Sequence, residues 1–157
     1  MKKDVKKIYI LILCFLFVYL AAFIGSIFTS GNTNSEWYQS IKPDITPPNW
    51  VFPVVWNILF FLIALSLYFL WIKVSKKQKP KVAILFGINL FLNILWSFLF
   101  FYLKNPTLAW IEIIFLIAST ASLISFSWIL NRKSAYLLMP YLIWLIFAGI
   151  LNFIIAF

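Results

Sequence analysis

The sequence predicts an all-α integral membrane bundle of five transmembrane helices, with the N-terminus inside and the C-terminus outside. Three observations predict it. The chain is 64% hydrophobic and only 11% charged, whereas soluble domains are roughly 45–50% apolar and about 25% charged. Its apolar residues come in long blocks, and five of these reach the roughly 20 residues that cross a bilayer core. Its basic residues lie in short clusters between the blocks, and the clusters alternate in strength from one connection to the next. A net charge of +9 arranged in this way marks topology rather than a nucleic-acid surface.

The expected spans are about 8–30, 50–72, 82–103, 108–130 and 135–157, in a single domain covering 1–157. The first span follows Lys2, Lys3, Lys6 and Lys7. Its apolar run is longer than the roughly 7–15 residues of a signal peptide core. No A-x-A cleavage site stands near Ala21 and Ala22, so a retained helix is expected. The segment 31–49 that follows is unlike a solvated linker. It carries Trp37, Tyr38, Ile41, Lys42-Pro43 and Thr46-Pro47-Pro48. Consecutive prolines fix φ and favour extended or turn backbone. The segment suits a lid folded over the outer end of the bundle, and its rings equally suit an aromatic belt at headgroup level.

The remaining connections are short, which predicts antiparallel packing of consecutive spans. Lys73, Lys76, Lys77, Lys79 and Lys81 precede or open the third span, and Arg132 and Lys133 precede the fifth. With the N-terminal lysines these all fall on one side. Only Lys42 and Lys104 fall on the other, which places the first loop outside by the positive-inside rule. With no targeting extension, this pattern fits a bacterial plasma membrane. Pro140 is expected to kink the fifth span. Ala83 and Gly87 form a small-xxx-small pair that suits close helix approach and a homodimer through the third span.

Polar residues inside apolar spans are functional candidates because hydrocarbon does not solvate them. They are Asn57, Asn89, Asn93, Glu112 and Asn152. At 1.5 Å rise per residue, most fall in the outer half, beneath the aromatic segment. Glu112 lies in the first turns of the fourth span, where headgroup level is within reach and a helix dipole favours an anion. Three rows share a face at i, i+4, i+8 spacing: Trp56, Phe60, Ala64; Asn89, Asn93, Ser97, with Trp96 beside them; and Trp144, Ala148, Asn152, with Tyr141 beside them. Each row mixes rings, small residues and amides. That mixture suits a pocket for a flat guest, and it also suits ordinary packing, since small and amide residues glue membrane helices together.

The composition excludes several chemistries. There is one cysteine, Cys14, and no histidine, so an intrachain disulfide is impossible and zinc or iron–sulfur sites are not expected. No metal site and no cofactor are expected. There is no Ser-His-acid set, no paired carboxylates on one helix and no phosphate-binding glycine loop. No catalytic residue is assigned; any chemistry would have to come from a ligand or from Trp and Tyr side chains, with Trp56 and Trp144 as the candidates. Internal repeats, which mark many secondary transporters, are not visible.

Three ordered motifs carry a resemblance. The first loop and second span read WYQSIKPDITPPNWVFPVVW from Trp37 to Trp56. The third span contains LNILWSFLFF from Leu92, and the fifth contains LMPYLIWLIFAGILN from Leu138 to Asn152. Together they resemble the TspO/MBR family of tryptophan-rich sensory proteins, which includes the mitochondrial translocator protein. The likeness runs from about Gly25 to Asn152. It implies a five-helix bundle, often dimeric, with a ligand pocket under the first loop. It implies binding of porphyrins such as protoporphyrin IX and of synthetic isoquinoline and benzodiazepine ligands, and in some bacterial members light-dependent breakdown of protoporphyrin. Carried over residue by residue, the pocket set would be Tyr38, Trp56, Phe60, Asn93, Trp96, Ser97, Trp144 and Ala148.

Two departures stand out. Ile45 occupies the place before Thr46-Pro47-Pro48 where the family often has an aromatic residue. The ending ILNFIIAF lacks the tyrosine and basic residue of the animal sterol motif. The expected function is therefore a membrane receptor or scavenger for porphyrins, with Lys42 placed to attract a propionate. A light-dependent porphyrin-degrading enzyme and a tetrapyrrole transporter are the alternatives.

Overall fold

A computed structural model describes the backbone of residues 2–157 and the side chains from Val5 onward. Lys2 and Lys3 of the N-terminal basic cluster therefore fall outside the described side chains. The order of elements is α1 (Lys2–Thr29), α2 (Glu36–Ile41), α3 (Val51–Lys73), α4 (Lys79–Ser97) continuing into a π-turn (Phe98–Tyr102), α5 (Pro106–Leu130) and α6 (Arg132–Ala156). Five of these helices are long and apolar enough to cross a membrane, so the protein is an all-α integral membrane protein. The expected first span is α1 and the remaining four are α3 to α6.

Local signals explain the boundaries. Pro53 stands in the first turn of α3, where backbone N–H groups have no intrahelical partner to lose. Pro80 and Pro106 open α4 and α5 in the same way. The Asn105 side chain accepts from Leu108 N at 3.0 Å, capping α5. Asn131 ends α5 and starts α6. Its N–H donates to Ser127 O at 2.7 Å, its Oδ1 accepts from Lys133 N at 3.1 Å, and its Nδ2 donates to Phe69 O on α3 at 2.9 Å. These caps start α5 and α6 two to three residues earlier than apolarity alone places them. α6 runs as one helix through Pro140, whose ring is exposed on the lipid side.

The five long helices close into a ring in the order α1, α3, α6, α5, α4. This corrects one expectation. Although α3 and α4 are consecutive, they meet only slightly, because α1 is wedged between them through buried Cys14, Val18 and Ala21. Small polar residues set close approaches elsewhere. Ser66 on α3 and Ser134 on α6 are fully buried, with their hydroxyls 2.7 Å apart and each 2.9 Å from the other's carbonyl. Asn89 on α4 donates to Thr120 on α5 at 2.9 Å. Around these pairs Leu70, Val82, Phe86, Leu123 and Leu138 form a dry core near the lysine-rich end.

Candidate functional site

The opposite end of the ring, where the first loop lies, is hollow. A cavity of about 530 Å³ opens there between α1, α3, α4 and α6. The first loop covers it. Within that loop α2 forms because the Ser35 hydroxyl accepts from Tyr38 N at 3.3 Å and Glu36 complements the positive helix end. The helix stops at Lys42, before Pro43. Asn49 ties the far end of the loop back, donating to Thr33 O at 3.2 Å and Asn34 Oδ1 at 2.7 Å. Thr33, Asn34, Tyr38, Thr46, Asn49 and Trp50 line the cavity as its roof, Trp50 with much of its ring still exposed, while Ile45 stands exposed and does not line it.

The π-turn docks this roof. A π-turn widens the helix by one residue, and here it leaves two consecutive rings, Phe100 and Phe101, facing inward and buried. Tyr38 meets Phe100 at 6.2 Å and Phe101 at 5.7 Å between ring centroids. Trp37 meets Phe100 edge-on at 5.7 Å, and Lys104 stands 5.9 Å above Trp37. Lys104 itself takes φ of 50°, the left-handed geometry that terminates the turn. Burial pushes the Tyr38 phenol above the usual tyrosine range.

The structure brings all eight sequence-predicted pocket residues to this one cavity. Trp56 and Phe60 stack at 5.3 Å on the α3 wall. Trp96 stacks on Phe100 at 5.0 Å on the α4 wall. Its indole N–H donates to Asn152 Oδ1 at 3.0 Å, and Asn152 Nδ2 in turn donates to Pro106 O at 2.8 Å. Asn93 presents its amide to the cavity while Nδ2 donates to Tyr141 OH at 3.1 Å. Trp144, Ala148 and Asn152 form the α6 wall, with Phe52 against Trp144 at 5.9 Å. Two buried polar atoms on lining residues have no partner among the described residues, the Trp144 indole N–H and the Thr46 hydroxyl.

Other candidates fall elsewhere. Asn57 is exposed on the outside of α3. Asn89 is occupied in the α4–α5 contact. Glu112 is turned into the protein, only 4% exposed, with neither carboxyl oxygen hydrogen-bonded among the described residues. Ala64 is in the solid core below the cavity, and Lys42 does not line it. The α1 wall was missed. Ala22, Gly25, Ser26 and Thr29 line the cavity, and their i, i+3, i+4, i+7 spacing is a small, weakly polar stripe in an otherwise bulky apolar run, a signal that was present in the sequence.

Among the described residues no cluster of metal-ligating side chains occurs. The TspO/MBR family model matches residues 13–157. The tryptophan-rich protein TspO of Archaeoglobus fulgidus is 40% identical over 147 residues, 92% of this chain and 94% of that protein. The translocator protein of Bos taurus is 32% identical over 138 residues, covering 85% and 80%. The tryptophan-rich sensory protein of Cereibacter sphaeroides is 34% identical over 122 residues, covering 75% and 73%.

Proposed function

The chain belongs to the TspO/MBR family, and on that premise we propose that it is a membrane receptor or scavenger that holds a porphyrin of the protoporphyrin IX type in the cavity under the first loop. One observation carries the reading: a cavity of about 530 Å³ whose walls present Trp56, Phe60, Trp96 and Trp144 and whose roof presents Tyr38. That volume lies within the roughly 300–1,000 Å³ of small-molecule sites, which are mostly apolar with a few placed polar groups. A flat, apolar macrocycle gains contact on ring faces, and each aromatic pair adds about 0.5–1.5 kcal/mol beyond burial. The Asn93 amide, the Trp144 indole N–H and the Thr46 hydroxyl supply the polar groups that orient an edge. With no histidine in the chain, the site favours metal-free porphyrin over haem. The lysine-rich end faces the cytoplasm of a bacterial plasma membrane, and the roofed end faces outward.

Titration of the purified protein with protoporphyrin IX tests this, read both as tryptophan quenching and as the porphyrin's own absorbance shift. Saturable binding is expected, weakened at least tenfold, or about 1.4 kcal/mol, in the Trp56→Ala/Trp144→Ala double variant. Undiminished affinity in that variant removes the site.

A second reading rests on the same rings. Trp56, Trp96, Trp144 and Tyr38 are ranged around one space; in a light-driven porphyrin oxidation the porphyrin would absorb the light, dissolved dioxygen would be the oxidant and be reduced, and these rings would orient the ligand. Under illumination, porphyrin absorbance that decays no faster with protein than in detergent alone eliminates it.

A further inference from the structure

The lysine-rich end carries a second hollow, of about 230 Å³, where α1, α3 and α4 meet. Leu13, Cys14 and Phe17 from α1, Leu67 and Trp71 from α3 and Ala83 from α4 wall it, and the walls are wholly apolar. It shares no residue with the roofed cavity. Leu13, Phe17 and Ala83 are exposed, so the groove opens sideways, toward the bilayer. We propose that it seats one acyl chain of an anionic phospholipid whose phosphate rests on Lys79 and the lysines around it.

The chain half of the site follows from the solvent. A lipid-facing groove without polar groups offers water nothing to bond, and hydrocarbon is the chemistry that fills it. The headgroup half follows from the rim. Trp71 lies two residues before the end of α3, and the Lys79 ammonium stands 5.3 Å from its ring centroid. One indole therefore serves as groove wall and as platform for the cation. Lys79 is also the first residue of α4, a helix whose N-terminus has no side-chain cap, so the positive helix end adds to the charge at this rim. Exposed Lys6 and Lys7 stand one to two turns before Leu13, and Lys73, Lys76 and Lys77 are exposed on the α3–α4 connection.

Among the described side chains no carboxylate offsets this rim. Glu36 and Asp44 lie in the first loop, and Glu112 is inside α5. Basic pockets between membrane helices select anionic headgroups on this basis. A second copy packed in parallel here would bring its own lysines against these, which argues for lipid as the occupant.

The test embeds the full chain in nanodiscs of equal phosphatidylglycerol and phosphatidylcholine and measures retained lipid by native mass spectrometry. Phosphatidylglycerol is expected to be retained roughly fivefold over phosphatidylcholine, the size of one charge contact at a surface. Lys79→Gln should bring that ratio close to one. Ala83→Phe, or Leu13→Trp should the first fail to fold, fills the groove and should lower retention of both lipids. Porphyrin binding at the other end reports that each variant is folded. Equal retention of the two lipids by the unaltered protein overturns the proposal. So does unchanged retention when the groove is filled, or a variant that alters only the monomer–dimer balance.

Discussion

Tyr38 closes the cavity with its ring, not its hydroxyl. The ring packs on Phe100 and Phe101, while the hydroxyl forms no hydrogen bond with the described protein atoms and the residue lines the cavity. Tyr38→Phe should therefore leave the roof docked, whereas Tyr38→Ala should release it locally. Hydrogen exchange over 35–42 should rise in the alanine variant alone, and equal exchange in both would mean that the hydroxyl does the docking. Because burial raises the folded phenol above its unfolded value, this contribution is complete below the ordinary tyrosine range near 10. It is lost as pH climbs through the raised value. Glu112 is the opposite case. A buried carboxyl without a partner does nothing to hold the fold, since unpaired polar groups inside a protein are destabilising. Glu112→Leu is expected to raise the thermal midpoint. A lower midpoint would mean that the carboxyl serves a contact absent among the described residues.

Helix pairs show where small polar groups replace the hydrophobic effect, which does little between helices in lipid. Ser66 and Ser134 bring α3 and α6 together through paired hydroxyls and carbonyls. Ser66→Ala should cost about 0.6 kcal/mol, because each membrane hydrogen bond is worth little. Ser66→Leu should cost roughly 1–3 kcal/mol by forcing bulk into a closed contact, and reversible unfolding in mixed micelles separates the two. The long helices were legible because twenty apolar residues have few other fates. Their neighbours were less so, because connection length says who can touch and not who intervenes, and α1 intervenes between α3 and α4. Two elements of the site left a weak trace. Six residues from Ser35-Glu36 onward carry only a cap signal for α2, and the π-turn at Phe98–Tyr102 sits in a run of rings with no proline or glycine to announce it. Yet these two elements supply Tyr38 to the roof and the rings on which it docks. Periodicity put the wall residues from Trp56 to Ala148 on shared helix faces together with Ala64 and Asn89, which do not line the cavity, and the family resemblance singled out the pocket set from those rows. Spacing was silent on whether those faces looked into a hollow or a packed core.

At the scale of the molecule the two ends differ in kind, and that bears on transport. The cavity reaches from the roof down to Phe60, Asn93 and Trp144 and stops there. Beneath it Ile63, Ala64, Phe86, Leu90 and Tyr141 are all nearly or fully buried and packed in one cluster. Further down, the Ser66–Ser134 contact and Leu70, Val82 and Leu138 continue the seal. A guest as wide as a porphyrin would have to part α3 from α6 along this whole length, and protein interiors are close-packed and resist such opening. Alternating-access proteins instead rock paired halves about a central site, and one closed ring of five helices has no such halves. The cavity is therefore closed at its floor, and on the receptor reading a guest would leave by the side it entered. Liposomes bearing the protein should move protoporphyrin IX across the bilayer no faster than protein-free liposomes, while still binding it saturably from the roofed side. Saturable, protein-dependent flux would show that the floor opens, and the receptor reading would then give way to a transporter built on the same cavity.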